Sequence, residues 1–153
     1  MVKLSVLDQS PVRAGGDPRQ ALAETITLAQ NAERLGYSRY WLAEHHGTEG
    51  FAGSSPEIMV TRVAAATDSI RVGSGGVMLS HYSPLKVAEN FKLLENLYPG
   101  RIDLGIGRAP GSDGLTAAAL AYGSEVGIEY FPTKIADMMA FLPDEVPASE
   151  PFR

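Results

Sequence analysis

With 153 residues the chain is long enough for one domain with its own core, and it falls short of the ~250 residues typical of a closed eight-stranded α/β barrel. Thirteen Lys and Arg against 18 Asp and Glu give a net charge of -5, so no basic field gathers nucleic acid or an anionic lipid surface. The absence of cysteine excludes disulfides, a thiolate nucleophile and Cys-ligated metal or iron–sulfur centres, which suits a reducing compartment. The opening MVKLSVLDQS meets Asp8 before a signal-peptide core could form, and no later run approaches ~18 apolar residues. The expectation is a cytoplasmic chain with no membrane or nucleic-acid partner.

Along the chain, apolar strand-like segments begin near Lys3, Arg39, Ile70 and Arg101, spaced by 31 to 36 residues, the size of one βα unit. After the first, Asp17-Pro18 with Gln20 reads as an N-cap, a proline at the first helical position and a capping-box partner; Gly36 supplies the left-handed stop. Leu22, Ile26, Ala29, Ala32 and Leu35 form one apolar stripe. Ser55-Pro56 and Ser83-Pro84 repeat the cap-plus-proline pattern, and Leu85, Ala88, Phe91, Leu94 and Leu97 repeat the stripe until Tyr98-Pro99-Gly100 ends it. Continuous apolar runs such as Ile102 to Ile106 suit strands covered on both faces, as in a parallel sheet. Helices are predicted over Ser112 to Tyr122 and Pro132 to Leu142, no fifth strand is legible, and residues 143–153 form a proline-rich tail. The fold class predicted is α/β, four βα units in one domain spanning residues 1–153.

In parallel α/β architectures the loops leaving the C-terminal strand ends carry the site. His45, His46 and His81 all fall in such loops. In Glu44-His45-His46 the two imidazoles are adjacent on an extended chain and point to opposite faces, which disfavours chelation of one ion, so no metal site is assigned. Two readings stand for the pair: one ring packed inside and the other at the surface, or a catalytic or cofactor-contacting imidazole. Gly73-Ser74-Gly75-Gly76 inside a strand needs a reason, either a bulge or close approach of a flat ligand. Arg108 leaves the fourth strand among small residues and could pair with a phosphate or with a surface carboxylate, Asp113 or Glu44. The glycines around it do not keep dinucleotide-fingerprint spacing, and neither a G-x-S-x-G elbow nor a P-loop is present.

The segments LSVLDQSPV, YWLAEHH and VGSGGVMLSHYSPLKVAENFKLLENLYPGRIDLGIGRAPG, in this order over residues 3–111, resemble the bacterial luciferase-like flavin-dependent monooxygenase family. The resemblance implies a (β/α)₈ TIM barrel of which about four units are present, the N-terminal half of a chain about twice as long. It also implies reduced FMN as cofactor, a flavin reductase to supply it, and O₂ used through a peroxyflavin to oxygenate a small organic substrate. By the same resemblance His45 is the catalytic histidine, Glu44 lies beside the cofactor, Gly75-Gly76 is a strand dipeptide often joined by a cis bond against the flavin ring, and Arg108 meets the flavin phosphate. A deazaflavin-dependent oxidoreductase of the same superfamily, or a non-catalytic flavin-binding or interaction module, is the alternative. Four strands cannot close a barrel. A fragment, a half-barrel that forms a homo-oligomer through its open edge, and an inactive relative are all compatible with that.

Overall fold

The computed structural model describes residues 2–109, 113–122 and 127–143. Four strands, β1 (Ser5–Asp8), β2 (Arg39–Leu42), β3 (Arg71–Met78) and β4 (Ile102–Gly107), form one parallel sheet in the order β1-β2-β3-β4. Helices α1 (Pro18–Arg34), α2 (Pro56–Ala64) and α3 (Pro84–Leu97) are the three crossovers, and α4 (Gly114–Ala121) and α5 (Phe131–Phe141) follow β4. Helices and strands thus fall where the spacing predicts, with β2 starting at Arg39 as expected and the other strand starts shifted by one or two residues. Strand order matching chain order is what successive right-handed βα units build, and here they make the first four staves of a barrel. The proline-rich tail beyond Pro143 lies outside the described residues.

The helix ends follow local chemistry. Asp17 accepts a hydrogen bond from Gln20 N at 2.8 Å, and Pro18 fits the first turn, where its missing N–H costs nothing. Gly36 takes φ +79°, and the Tyr37 N–H reaches Ala32 O at 3.0 Å while the Gly36 N–H reaches Glu33 O at 2.9 Å, a Schellman close. Two expected details differ. Gln20 turns its amide onto Glu24 at 3.0 Å instead of reaching back to the cap, because an i,i+4 partner is within easier reach. Ser55 and Ser83 occupy cap positions but make no side-chain cap bond, so the proline after each carries the helix start.

One face of the sheet carries the core. Tyr40, Leu42, Val72 and Val77 pack there against Ala29 and Ala32 of α1, Val60 and Val63 of α2, and Val87, Phe91 and Leu94 of α3. The apolar stripes are right in their middles and fail at their ends: Leu35, Leu85 and Leu97, at or beside the helix termini, are exposed. Thr25 is buried on the packed face of α1, where its hydroxyl meets Ser10 Oγ at 2.9 Å. No helix among the described residues is long and apolar enough to cross a membrane.

The opposite face is the concave inside of the incomplete barrel and is open. Leu7 of β1 and Trp41 of β2 lie on it, with Leu7 59% exposed.

Candidate functional site

Strand alternation decides what each residue after β2 does. Glu44 and His46, two apart, turn to one side and meet each other: His46 Nε2 lies 2.7 Å from Glu44 Oε1. His45, between them, turns away and stacks on Phe51, ring centroids 4.5 Å apart at 30°. The opposite orientation expected of the two imidazoles is what the structure has.

Glu44 is buried, and each of its oxygens is occupied. Oε2 accepts the Met78 N–H at 2.9 Å, and Oε1 accepts the Tyr82 hydroxyl at 2.6 Å as well as His46. The alternative of a surface pair between Glu44 and Arg108 is therefore not realised. Met78 and Tyr82 flank the 3₁₀ turn Leu79–His81 that leaves β3, so one carboxylate ties the exit of β2 to the exit of β3. Burial, then the hydrogen bond and charge of Glu44, push the Tyr82 phenol far above its ordinary range and keep it a donor. Neither partner of Glu44 is assigned from sequence: His46 could have been found from alternation, which turns residues two apart to one side, whereas Tyr82 lies 38 residues away and leaves no local signal.

A second buried network holds the exit of β1. Asp8 accepts from Ser10 N at 2.8 Å and from the Tyr40 hydroxyl at 2.6 Å, and Ser10 sits at φ 50°. Burial, followed by the Asp8 bond and charge, raises the Tyr40 phenol far out of its ordinary range. The loops then brace one another: Pro11 bridges Phe51, Ala52 N bonds Ser10 O, and His45 N bonds Gly53 O, the last two at 2.9 Å. Phe51 is thereby fixed as the surface on which His45 rests. The His45 Nδ1 is buried and has no hydrogen-bond partner among the described residues. A buried polar atom left so is costly unless something else completes it.

Glycines shape the open concave face. A side chain at Gly73 would strike Asp103 O and come within 2.8 Å of the Trp41 ring, and one at Gly75 would come within 2.9 Å of Leu7 Cδ1 and Trp41 Cβ. The Trp41 indole therefore lies across the glycine row, which the sequence reading did not assign to it. At Gly76 an added carbon would sit 2.8 to 2.9 Å from the backbone of Gly105 and Ile106. The Gly75-Gly76 peptide is cis, and the pairing of β3 with β4 shifts register between Ser74 and Val77. Ser74, fully buried, fills that irregularity by donating to Gly105 O at 2.8 Å and accepting from Gly105 N at 3.1 Å. The bulge reading of the glycine run is thus realised, and Gly75 itself remains exposed on the concave side.

Arg108 is exposed at the exit of β4, its carbonyl accepting from Ser80 Oγ at 3.0 Å. Across this end α5 docks through Lys134, whose ammonium donates to Ser80 O at 2.7 Å and Leu79 O at 3.2 Å; burial holds its pKa below the usual lysine range. Helix α4 closes in from the other side, where Thr116 fills the space a side chain at Gly47 would need. Glu44, His45 and Arg108 thus belong to strand exits at one end of the sheet, while Gly75 lies inside β3.

Comparison with known proteins agrees with this architecture. Residues 2–124 match the family model for luciferase-like monooxygenases. The chain is 47% identical over 147 residues to the N-acetyl-S-alkylcysteine monooxygenase of Bacillus subtilis, covering 96% of this chain and 44% of that protein. It superposes on the crystal structure of apo-MsnO8 with a TM-score of 0.92 at 47% identity, covering 98% of this chain and 45% of that one. The fold likeness extends to the FMN complex of the oxygenating constituent of 3,6-diketocamphane monooxygenase from Pseudomonas putida, with a TM-score of 0.76 at 21% identity over 98% of this chain and 40% of that one. The chain spans under half the length of these relatives. Four parallel staves, the family-model match over most of the chain and this similarity place the chain in the luciferase-like monooxygenase family.

Proposed function

We propose that this chain forms one wall of a flavin site and that its chemistry is the use of reduced FMN and O₂ to oxygenate a small organic substrate. The observations that carry the reading are an exposed glycine backbone at Gly75 inside β3 and, at the exit of the neighbouring β2, a buried imidazole nitrogen on His45 with no hydrogen-bond partner among the described residues. Bare backbone admits a flat ring where any side chain would collide with Leu7 or Trp41, and an unmet buried nitrogen asks for a polar atom that a ligand can bring. Both features fit the group. When bound, reduced FMN would supply the electrons that activate O₂.

The chain's own residues then have distinct tasks. Gly75 and Gly76 present the platform, and His45, backed by Phe51, holds or moves a proton at Nδ1. Glu44 fixes the strand exits on either side of that imidazole through Met78 N and Tyr82, and it lies beside the cofactor in this reading. Arg108, exposed and cationic, takes the flavin phosphate as a forked donor. A flavin reductase is the expected source of reduced cofactor, and N-acetyl-S-alkylcysteines are the first substrates to try.

Equilibrium dialysis against oxidised FMN, reduced FMN and a deazaflavin, paired with oxygen-electrode traces, tests this. The expected result is preference for FMN, substrate-stimulated O₂ uptake, and a loss of about 100-fold in that uptake in His45→Ala with FMN affinity retained. Preference for the deazaflavin would assign hydride transfer instead. Binding without substrate-stimulated uptake would leave a flavin-binding module.

A further inference from the structure

Between the turn that leaves β3 and the two helices after β4 lies a hollow of about 270 Å³, lined by Ser80, His81, Leu120, Ala121, Tyr130 and Lys134. None of these residues has a task in the flavin reading. Lys134 supplies the charge of the hollow. Its ammonium has three N–H groups and places two of them, on Ser80 O at 2.7 Å and Leu79 O at 3.2 Å. Both acceptors are neutral carbonyls, so the full positive charge stays unbalanced. Among the described residues no carboxylate acts on it: Glu129 and Asp137, on either side of it in sequence, make no ion pair with it, and burial alone is what lowers its pKa. Gly127 keeps the approach clear, since a side chain there would come within 3.1 Å of both Lys134 Nζ and Ser80 O.

A half-buried cation with one N–H left to give, set in a concavity, is suited to recognise an anion. Size and charge narrow the class. The hollow is smaller than the ~300 to 1,000 Å³ of pockets that take drug-sized ligands, so its occupant is a small molecule. One ammonium balances one negative charge, which matches a carboxylate better than a doubly charged phosphate. Leu120 and Ala121 add apolar surface for a short alkyl group, and Ser80 and Tyr130 add polar groups beside it. We infer that this hollow binds the carboxylate of a small organic acid, with Lys134 as the residue that selects it. Ser80 takes the ammonium on its carbonyl and gives its hydroxyl to Arg108 O at 3.0 Å, which sets the acid at the exits of β3 and β4. In the oxygenation reading that acid is the substrate. Its binding stands on the hollow and the ammonium and is independent of the flavin.

Isothermal titration calorimetry of the chain without flavin, with N-acetyl-S-methylcysteine, its carboxamide and inorganic phosphate as probes, tests this. The acid should bind at least about tenfold more tightly than the carboxamide, which keeps the shape and loses the charge, and more tightly than phosphate. Lys134→Gln should bring acid and carboxamide within about twofold of each other, whereas Lys86→Gln, on the exposed side of α3, should leave the preference intact. Because Lys134 also fastens α5, Leu120→Trp is the second variant: it keeps the ammonium and its carbonyl bonds, fills the hollow, and should weaken acid binding at least about fivefold. No binding of the acid, equal binding of acid and carboxamide, tighter binding of phosphate, a preference that survives Lys134→Gln, or unchanged affinity in Leu120→Trp would overturn the inference. A chain that binds the acid through Lys134 but takes no FMN would keep this site and remove the flavin reading.

Discussion

At the scale of single residues, backbone clearance and hydrogen-bond closure are the controlling quantities. Gly73 has the Asp103 carbonyl on one side and the Trp41 ring on the other, so Gly73→Ala forces either the sheet or the indole to move. It should lower stability by about 3 kcal/mol in urea unfolding. Gly50→Ala, whose added carbon would meet Thr48 Oγ1 at 3.5 Å, should stay within about 0.5 kcal/mol. Glu33 offers a different kind of test. Partial burial would raise its pKa, but the N–H groups of Ile70, Ser69 and Asp68 and the Ser69 hydroxyl outweigh that and hold it below the usual 4.5. A depressed carboxylate stabilises the fold fully above its ordinary value and progressively less as pH falls through the lowered one. Because water screens this largely solvent-facing carboxylate, Glu33→Gln should cost no more than about 0.5 to 1 kcal/mol at pH 7, with the gap from the unaltered chain narrowing as the pH drops below about 4, read from denaturation midpoints. None of these roles is visible in sequence: Glu33 lies on a helix as an ordinary surface acid, and its partners are more than 30 residues away.

At the scale of elements, the rhythm of strand and helix was legible because it is written in local signals. Asp17-Pro18 and Gly36 cap α1, and the apolar steps of α1 and α3 turn one side of each to the sheet. The cross-links between elements were not legible, since they arise only once the units are stacked. Glu44 joining β2 to β3 and Arg101 donating to the carbonyls of Ala64, Thr67 and Ile70 around the end of α2 are such links. Lys134 is another, fastening α5 to the turn after β3 through two carbonyls. Its removal should loosen that helix alone: Lys134→Ala is expected to speed amide hydrogen exchange in α5 by about tenfold while exchange in β2 and β3 stays unchanged. Equal acceleration throughout would show that α5 is part of the cooperative core.

At the scale of the whole molecule, the sheet has one finished face and one unfinished. The resemblance in the sequence implies the barrel, the cofactor and the family, and the glycine run offered a flat ligand or a bulge. The structure contains the bulge, adds Trp41 lying along the glycines, and leaves Gly75 exposed on the concave side. Trp41 could not be placed from sequence because alternation in β2 says which face it takes but not that glycines on β3 would clear a bed for it. As the chain's single tryptophan, it is also a built-in reporter of the concave face. The most direct measurement is an anaerobic titration of the chain with photoreduced FMN, followed through Trp41 emission. A saturable change at one flavin per chain, weakened at least about tenfold in Gly75→Val with its fold intact, is the predicted result. Emission that never saturates, or that responds equally in Gly75→Val, would contradict it.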